Sequence, residues 1–115
     1  MEKENIILDK SFQFALEIIN FAEILNANKK FLLSNQLFRS GTSIGANIRE
    51  AQHAESPADF IHKLKISAKE AEETEYWLLL CKHSNHYPTN EKLISDLKEI
   101  QKILTKIIHT TRNKQ

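Results

Sequence analysis

Hydrophobic residues recur along most of the chain at alternating steps of three and four, the spacing that places side chains on one face of an α-helix. The pattern predicts four helices, at about residues 8–28, 34–53, 57–83 and 90–112. The sequence shows no alternating strand pattern. Because short connections make consecutive helices neighbours, we expect an all-α, antiparallel, up-down-up-down four-helix bundle.

The predicted first helix differs from the others because it carries two neighbouring hydrophobic stripes. They are formed by Leu8, Phe12, Ala15, Ile19 and Ala22, and by Phe14, Ile18, Phe21 and Leu25. At about 100° per residue, the two stripes together cover roughly 220° of the helix surface. This width exceeds what a single neighbouring helix covers.

Capping residues predict where two of the helices begin. In the third helix, Ser56 is the expected N-cap, Pro57 occupies the first helical position, and Asp59 can reach back as in a capping box. We expect Ser34 to cap the second helix in the same way.

The composition limits the classes of function that the chain can have. A length of 115 residues suits one domain, residues 1–115. Sixteen basic and fifteen acidic side chains give a formal net charge of +1, so no global positive field indicates a nucleic-acid-binding protein. The single cysteine, Cys81, excludes an intrachain disulfide and predicts a core position in a reducing, cytoplasmic environment. We expect neither a signal peptide nor a membrane span.

Both glycines of the chain, Gly41 and Gly45, lie in the stretch RSGTSIGANIREA. A phosphate-binding loop would place such glycines between a buried strand and a helix start, together with a lysine. The preceding SNQLFRS is no strand, and that lysine is missing. Two glycines inside a helix cost roughly 2 kcal/mol relative to alanine. We therefore expect a neighbouring helix to pack closely against them and offset this cost.

A metal site is the alternative that would indicate an enzyme. Glu50 and His53 have the Glu-x-x-His spacing of di-iron bundles, and Asp59 and His62 repeat it with an aspartate. Such a site also needs inward-facing carboxylates on the first and fourth helices. The acidic residues there lie off or at the edge of the hydrophobic stripes: Glu17, Glu23, Asp96 and Glu99. We therefore expect no metal, no cofactor, no catalytic residue and no enzymatic activity.

Charged residues predict two further contacts. Basic side chains follow the outer face of the fourth helix, where they could lie across phosphates, and the first turn is expected to extend this stripe. The residues are Lys98, Lys102, Lys106, His109 and Arg112, with Lys29 and Lys30 at the turn. The alternative is an ordinary solvated surface. On the third helix, we expect Glu72 or Glu75 to face Arg39 or Arg49 in a pair that fixes the register.

The second and third helices also share a pattern of residue identities, QLxRSxxSIxANIxE followed by a Ser-led helix start, ExE and a leucine run. The matching positions are Gln36, Leu37, Arg39, Ser40, Ser43, Ile44, Ala46, Asn47, Ile48, Glu50, Ser56, Phe60, Glu73, Glu75 and Leu78 to Leu80. On these positions, within residues 33–81, the chain resembles the bacterial four-helix-bundle family of 23S rRNA intervening-sequence proteins. A similar protein assists the reverse transcriptase of diversity-generating retroelements. Family members often carry Pro at the position of Gly45 and Gly at that of Ala51.

The resemblance implies a homopentamer of bundles without known enzymatic activity, and RNA or a reverse transcriptase as a partner. It marks a set of packing and polar positions: Arg39, Gly41, Ser43, Gly45, Asn47, Glu50, Glu73 and Glu75. We therefore predict a non-enzymatic, oligomeric, cytoplasmic scaffold that binds RNA or an RNA-handling protein through the basic outer face. A pure protein–protein adaptor is the alternative, and we expect no membrane partner.

Overall fold

The computed structural model describes residues 3–114, with side chains described from Ile6 onward. The chain forms four α-helices, α1 (Lys3–Ala27), α2 (Phe31–Ala51), α3 (Pro57–His83) and α4 (Glu91–Asn113). Helix α1 contacts α2 and α4, and helix α3 also contacts α2 and α4. The α1–α2 pair therefore lies opposite the α3–α4 pair. The predicted all-α four-helix bundle is confirmed, with overall dimensions of 48 × 23 × 20 Å.

In neighbouring helices, residues late in one helix contact residues early in the other. Near the start of α2, Ser34 meets Ala22 of α1, whereas Gly45, further along α2, meets Ser11, which lies earlier in α1. Ion pairs between α3 and α4 and between α1 and α4 follow the same reversed order. Consecutive helices are therefore antiparallel. None of the four helices is long and apolar enough, over residues 3–114, to cross a membrane.

The first connection is tighter than the sequence pattern predicts. Helix α1 begins about five residues earlier than expected, and α2 begins three residues before Ser34. The amide of Lys30 donates to the carbonyl of Leu25 at 2.8 Å, while Lys29 adopts a left-handed conformation with a φ of 62°. This is the geometry of a Schellman ending, which reverses the chain within a few residues.

The prediction that Ser34 caps α2 is wrong. Ser34 lies one turn inside the helix and is buried, and its hydroxyl donates to the carbonyl of Ala22 at 3.0 Å. A short hydroxyl side chain at this position lets the two backbones approach, and its hydrogen bond satisfies a polar atom away from water. The residue resembles a cap in sequence but acts as a contact between helices.

The predicted start of α3 is confirmed. The Ser56 hydroxyl accepts from the amide of Asp59 at 3.0 Å, and Pro57 occupies the first helical position. The Asp59 carboxylate accepts from the amide of Glu55 at 3.2 Å, one residue before the amide that a standard capping box would use. Both contacts satisfy amides that the helix itself leaves unpaired.

One hydrophobic core runs the length of the bundle. Its largest fully buried side chains are Ile7, Phe14, Ile18, Leu25, Leu37, Ile44, Ile48, Leu64, Leu78, Leu93, Leu97 and Ile100. Cys81 is part of this core, and burial raises the pKa of its thiol to about 11. The cysteine is therefore a neutral core residue, as its position on the seam predicts.

The two glycines allow α1 to approach α2 closely. A Cβ added at Gly41 would lie 2.7 Å from Cγ1 of Ile18, a fully buried side chain whose β-branching restricts its movement. At Gly45, an added Cβ would lie 3.3 Å from the backbone oxygen of Ser11. The expectation of a packing notch is confirmed, and Gly41 is its tighter half.

Hydroxyl side chains make the corresponding contact between α2 and α3. The buried Ser67 hydroxyl donates to the carbonyl of Ile44 at 2.9 Å. The buried hydroxyls of Thr74 and Ser40 lie 2.9 Å apart. Small polar residues on this seam therefore bring the helices together and satisfy each other's hydrogen bonds.

Replacing Gly41 with leucine is expected to lower the free energy of unfolding by about 3 kcal/mol or more, because overpacking against Ile18 outweighs the gain in helix propensity of about 1 kcal/mol. Urea denaturation measures the change. Ser95→Leu adds the same side chain at an exposed position of α4 and serves as the control. A Gly41→Leu protein as stable as this control would contradict the close-packing explanation.

Candidate nucleic-acid interface and apolar face

The stretch from Arg39 to Ala51 forms helix rather than a phosphate loop. Both glycines lie inside α2. The hydroxyl of Thr42 donates to the carbonyl of Phe38 at 2.6 Å, and that of Ser43 donates to the carbonyl of Arg39 at 2.6 Å. These hydroxyls therefore bond within their own helix, as the helical interpretation of the sequence predicts.

Four of the six carboxylates considered as metal ligands take part in ion pairs. Glu50 accepts from Lys63 at 3.2 Å, Glu17 and Asp96 both accept from Lys92, and Glu99 accepts from Lys10. The two histidines of the proposed motif, His53 and His62, are exposed. Within residues 3–114, no three His, Cys, Asp or Glu side chains converge on a point where they could hold a metal ion.

Arg39 joins α2 to α3, but through different partners from those predicted. Its guanidinium donates to Glu70 at 3.3 Å and also to Glu73, whose carboxylate accepts from the indole NH of Trp77 at 3.1 Å. Residues 70, 73 and 77 follow one side of α3 at steps of three and four, and that side faces α2. Glu75 is turned towards α4 instead, where it accepts from Lys98 at 2.9 Å.

The polar residues of the family pattern form a stripe on α2 beside α3. Arg39, Ser43, Asn47 and Glu50 follow one another at steps of four, four and three. The Asn47 amide donates to the carbonyl of Ser43 at 2.9 Å, and Glu50 is paired with Lys63 of α3. The arrangement is a polar seam that holds two helices together.

The pKa shifts of Glu73 and Glu75 also indicate that these residues hold neighbouring helices together. The hydrogen bond from Arg39 lowers the pKa of Glu73, and the hydrogen bond from Lys98 lowers the pKa of Glu75. Both carboxylates are therefore held in the charged form by a cation on a neighbouring helix.

The predicted basic stripe divides into paired and unpaired cations. Lys98 is paired with Glu75. Among the described side chains, Lys102, Lys106 and Arg112 form no ion pair. Lys98 lines the same depression along α4 as Lys102 and Lys106, but it is paired because Glu75 of α3 lies within its reach.

Lys65 of α3 belongs beside these residues, although the sequence pattern of α4 does not indicate it. Lys65, His109 and Arg112 line one shallow depression, and Lys102, Lys106 and His109 line the next along α4 together with the paired Lys98. We call this group, Lys65, Lys102, Lys106, His109 and Arg112, the basic surface. Only the register of α3 against α4 places Lys65 there.

Lys29 and Lys30, which the sequence predicts to extend this stripe, lie at the turn between α1 and α2. The ammonium group of Lys30 lies 4.5 Å from the centre of the Tyr87 ring, so the first turn meets the loop before α4. Arg112 lies in the last turn of α4, about 32 Å along the helix from its first residue. The two lysines therefore lie at the opposite end of the bundle from Arg112.

The opposite side of the molecule, formed by α1 and α2, is apolar and exposed. Phe12 is 53% exposed, Leu16 42% and Phe38 49%. A groove of about 280 Å³ runs between the two helices, with Phe12 and Gly45 on its walls. We call this surface, Phe12, Leu16, Ile19 and Phe38, the apolar face. Contiguous exposed apolar surface of this kind is typical of a protein–protein contact.

Comparisons with known proteins identify a family of similar sequences and a similar solved structure. The sequence model that matches residues 3–106 is described as the 23S rRNA-intervening sequence protein family. A solved structure from Bacteroides thetaiotaomicron, described as a protein with unknown function from the S23 ribosomal protein family, is 51% identical. Its similarity covers 94% of this chain and 99% of that chain, with a TM-score of 0.86. No curated protein matches the chain significantly. The resemblance inferred from residues 33–81 is confirmed, and it extends over all of α1 and most of α4.

Acid is expected to weaken the α2–α3 and α3–α4 contacts. Because the folded-state pKa values of Glu73 and Glu75 lie below the ordinary value of 4.5, their contribution to stability is complete above that pH and is lost as the pH falls through the lowered values. In Glu73→Gln/Glu75→Gln, the free energy of unfolding should therefore change less between about pH 5 and pH 3.

Urea denaturation across this pH range measures the effect. Glu55→Gln is the matched control, because Glu55 is exposed and its carboxylate forms no ion pair with a described side chain. If the free energy of unfolding of the double variant falls with pH as steeply as that of the control, these pairs do not stabilise the fold.

Proposed function

The chain belongs to the family of 23S rRNA-intervening sequence proteins, and from this premise we propose that it is a non-enzymatic, oligomeric scaffold that binds RNA. The observation that carries the proposal is the placement of two different surfaces on opposite sides of one bundle. The apolar face is suited to contact between subunits, while the basic surface on α3 and α4 is available to a polyanion. The buried, lone Cys81 suits the reducing environment of the cytoplasm.

Assembly into a ring, as in the pentamer that the family resemblance implies, requires two different surfaces on each subunit. The apolar face supplies one. Tyr76 and Leu79 on the outer side of α3 supply the second, with exposed fractions of 57% and 37%. In this arrangement the α1–α2 side of one subunit packs against α3 of the next, and the basic end of the α3–α4 side stays open.

Oligomerisation would strengthen RNA binding without new types of contact. A single subunit offers a few unpaired cations, which bind a polyanion weakly at physiological salt. When several such surfaces are held on one ring, each later contact becomes intramolecular and the total affinity increases. This mechanism needs no global positive charge, which agrees with the formal net charge of +1.

Removing the apolar face should disperse the oligomer without unfolding the subunit. Phe12→Ser/Phe38→Ser is expected to elute as a monomer in size-exclusion chromatography with light scattering, and its helical circular dichroism should be unchanged. Ile24→Ser is the matched control, because Ile24 is 49% exposed on the same helix but lies on the side of Glu17, which faces α4. A ring also predicts that Tyr76→Ser/Leu79→Ser dissociates; a monomeric wild-type protein would contradict the scaffold proposal.

Removing cations from the basic surface should weaken RNA binding. For Lys102→Gln/Lys106→Gln we expect the dissociation constant to rise about tenfold at low salt, measured by fluorescence anisotropy. Lys29→Gln/Lys30→Gln removes the same charge at the other end of the bundle and should change the constant less than about twofold. Wild-type binding that is equally weak at low and high salt would refute the RNA role. Partners that survive nuclease treatment during purification would then favour a protein adaptor.

A further inference from the structure

The basic surface is two-dimensional, because two helices contribute to it. Lys102, Lys106 and Arg112 follow α4 over about 15 Å, the length of ten residues in a helix. Lys65 stands beside them on α3, next to His109 and Arg112. Cations on two parallel lines match two rows of phosphates better than they match one strand.

The surface between these cations is shallow. The depression along α4 is open to solvent, and its floor between the lysines is formed by Gln101 and Thr105. The Thr105 hydroxyl can donate a hydrogen bond to a sugar–phosphate backbone. The Gln101 amide donates one N–H to Glu75 at 3.3 Å, and its second N–H can donate to the backbone in the same way. The depression has no walls that would enclose an extruded base.

The exposed aromatic rings of the described chain lie on other parts of the molecule. Phe12 and Phe38 belong to the apolar face, and Phe31 lies at the end of the bundle that carries Lys30. Tyr76 is eleven residues from Lys65 on α3, about 16 Å away. Proteins that bind single strands combine a basic groove with aromatic rings on which bases stack. A duplex instead keeps its bases stacked inside and presents its backbone.

We propose that the basic surface recognises double-stranded RNA through its phosphate backbone, independently of sequence. The inference rests on the proposed RNA-binding function and narrows it to one form of RNA. Four basic side chains, Lys65, Lys102, Lys106 and Arg112, contact phosphates on both sides of a groove. Gln101 and Thr105 donate to the backbone between them.

Competition between matched RNAs tests the inference on the full-length protein. Fluorescence anisotropy compares a 20-base-pair RNA duplex, a second duplex of unrelated sequence and an unstructured 20-nucleotide single strand. We expect the two duplexes to bind within about twofold of each other and at least about tenfold more tightly than the single strand. For each contacting subunit, four phosphate contacts predict about a 100-fold loss of duplex affinity between 50 and 200 mM salt.

Charge variants connect this result to the basic surface. In Lys102→Gln/Lys106→Gln the loss of duplex affinity between 50 and 200 mM salt should be only about tenfold, because two of the four phosphate contacts are removed. Lys29→Gln/Lys30→Gln should retain the wild-type dependence. A general folding defect would lower affinity without halving the salt dependence in this way.

The outcomes separate the two proposals. Equal or tighter binding of the single strand, or a strong preference for one duplex sequence, would overturn the duplex inference and leave RNA binding in place. No binding to any of the three RNAs at 50 mM salt would overturn both. An unchanged salt dependence in the α4 double variant would place the duplex contact elsewhere and overturn the assignment to this surface.

Discussion

The close approach of α1 and α2 at Gly41 is the constraint on which the rest of the bundle depends. The backbone of α2 lies against Ile18 with no room for even one additional carbon atom. Ser34 and Gly45 also lie in close contact with α1 towards either end of this helix pair. With α1 held this close, the stripe that contains Phe14 and Ile18 faces the core, so Phe12 and Ile19 of the other stripe cannot turn into it. Part of the wide stripe therefore remains outside as the apolar face.

The distribution of ion pairs explains how a nearly neutral chain can present a basic surface. Cations at the edges of the helix seams reach carboxylates on the neighbouring helix: Lys10, Arg39, Lys63, Lys82, Lys92 and Lys98. The seams thus neutralise acidic and basic residues against each other. Lys102, Lys106 and Arg112 form no ion pair with a described side chain, so their charge is not neutralised in this way. The basic surface therefore arises because most other cations are paired with carboxylates, and not because the chain is rich in basic residues.

The residues that mark the family are mostly those of the α2–α3 contact. Arg39 bridges two glutamates of α3, and Glu50 accepts from Lys63 near the other end of the seam. A relative that is 51% identical has the same fold and is described as having unknown function. The shared pattern therefore accounts for contacts that hold the bundle together.

The sequence alone determined the four helices, their antiparallel order, the start of α3 at Ser56 and Pro57, and the packing role of Gly41. These features depend on residue spacing within one helix or on capping by near neighbours, so a single chain segment contains the information. Only the tertiary structure decided that Ser34 is a buried contact, that Glu73 rather than Glu75 meets Arg39, that Lys65 joins the basic surface and that Lys29 and Lys30 do not. The physical reason is that rotation and register between helices are set by how closely their side chains allow the backbones to approach. A rotation of one helix by a fraction of a turn changes which charges are paired and which remain available.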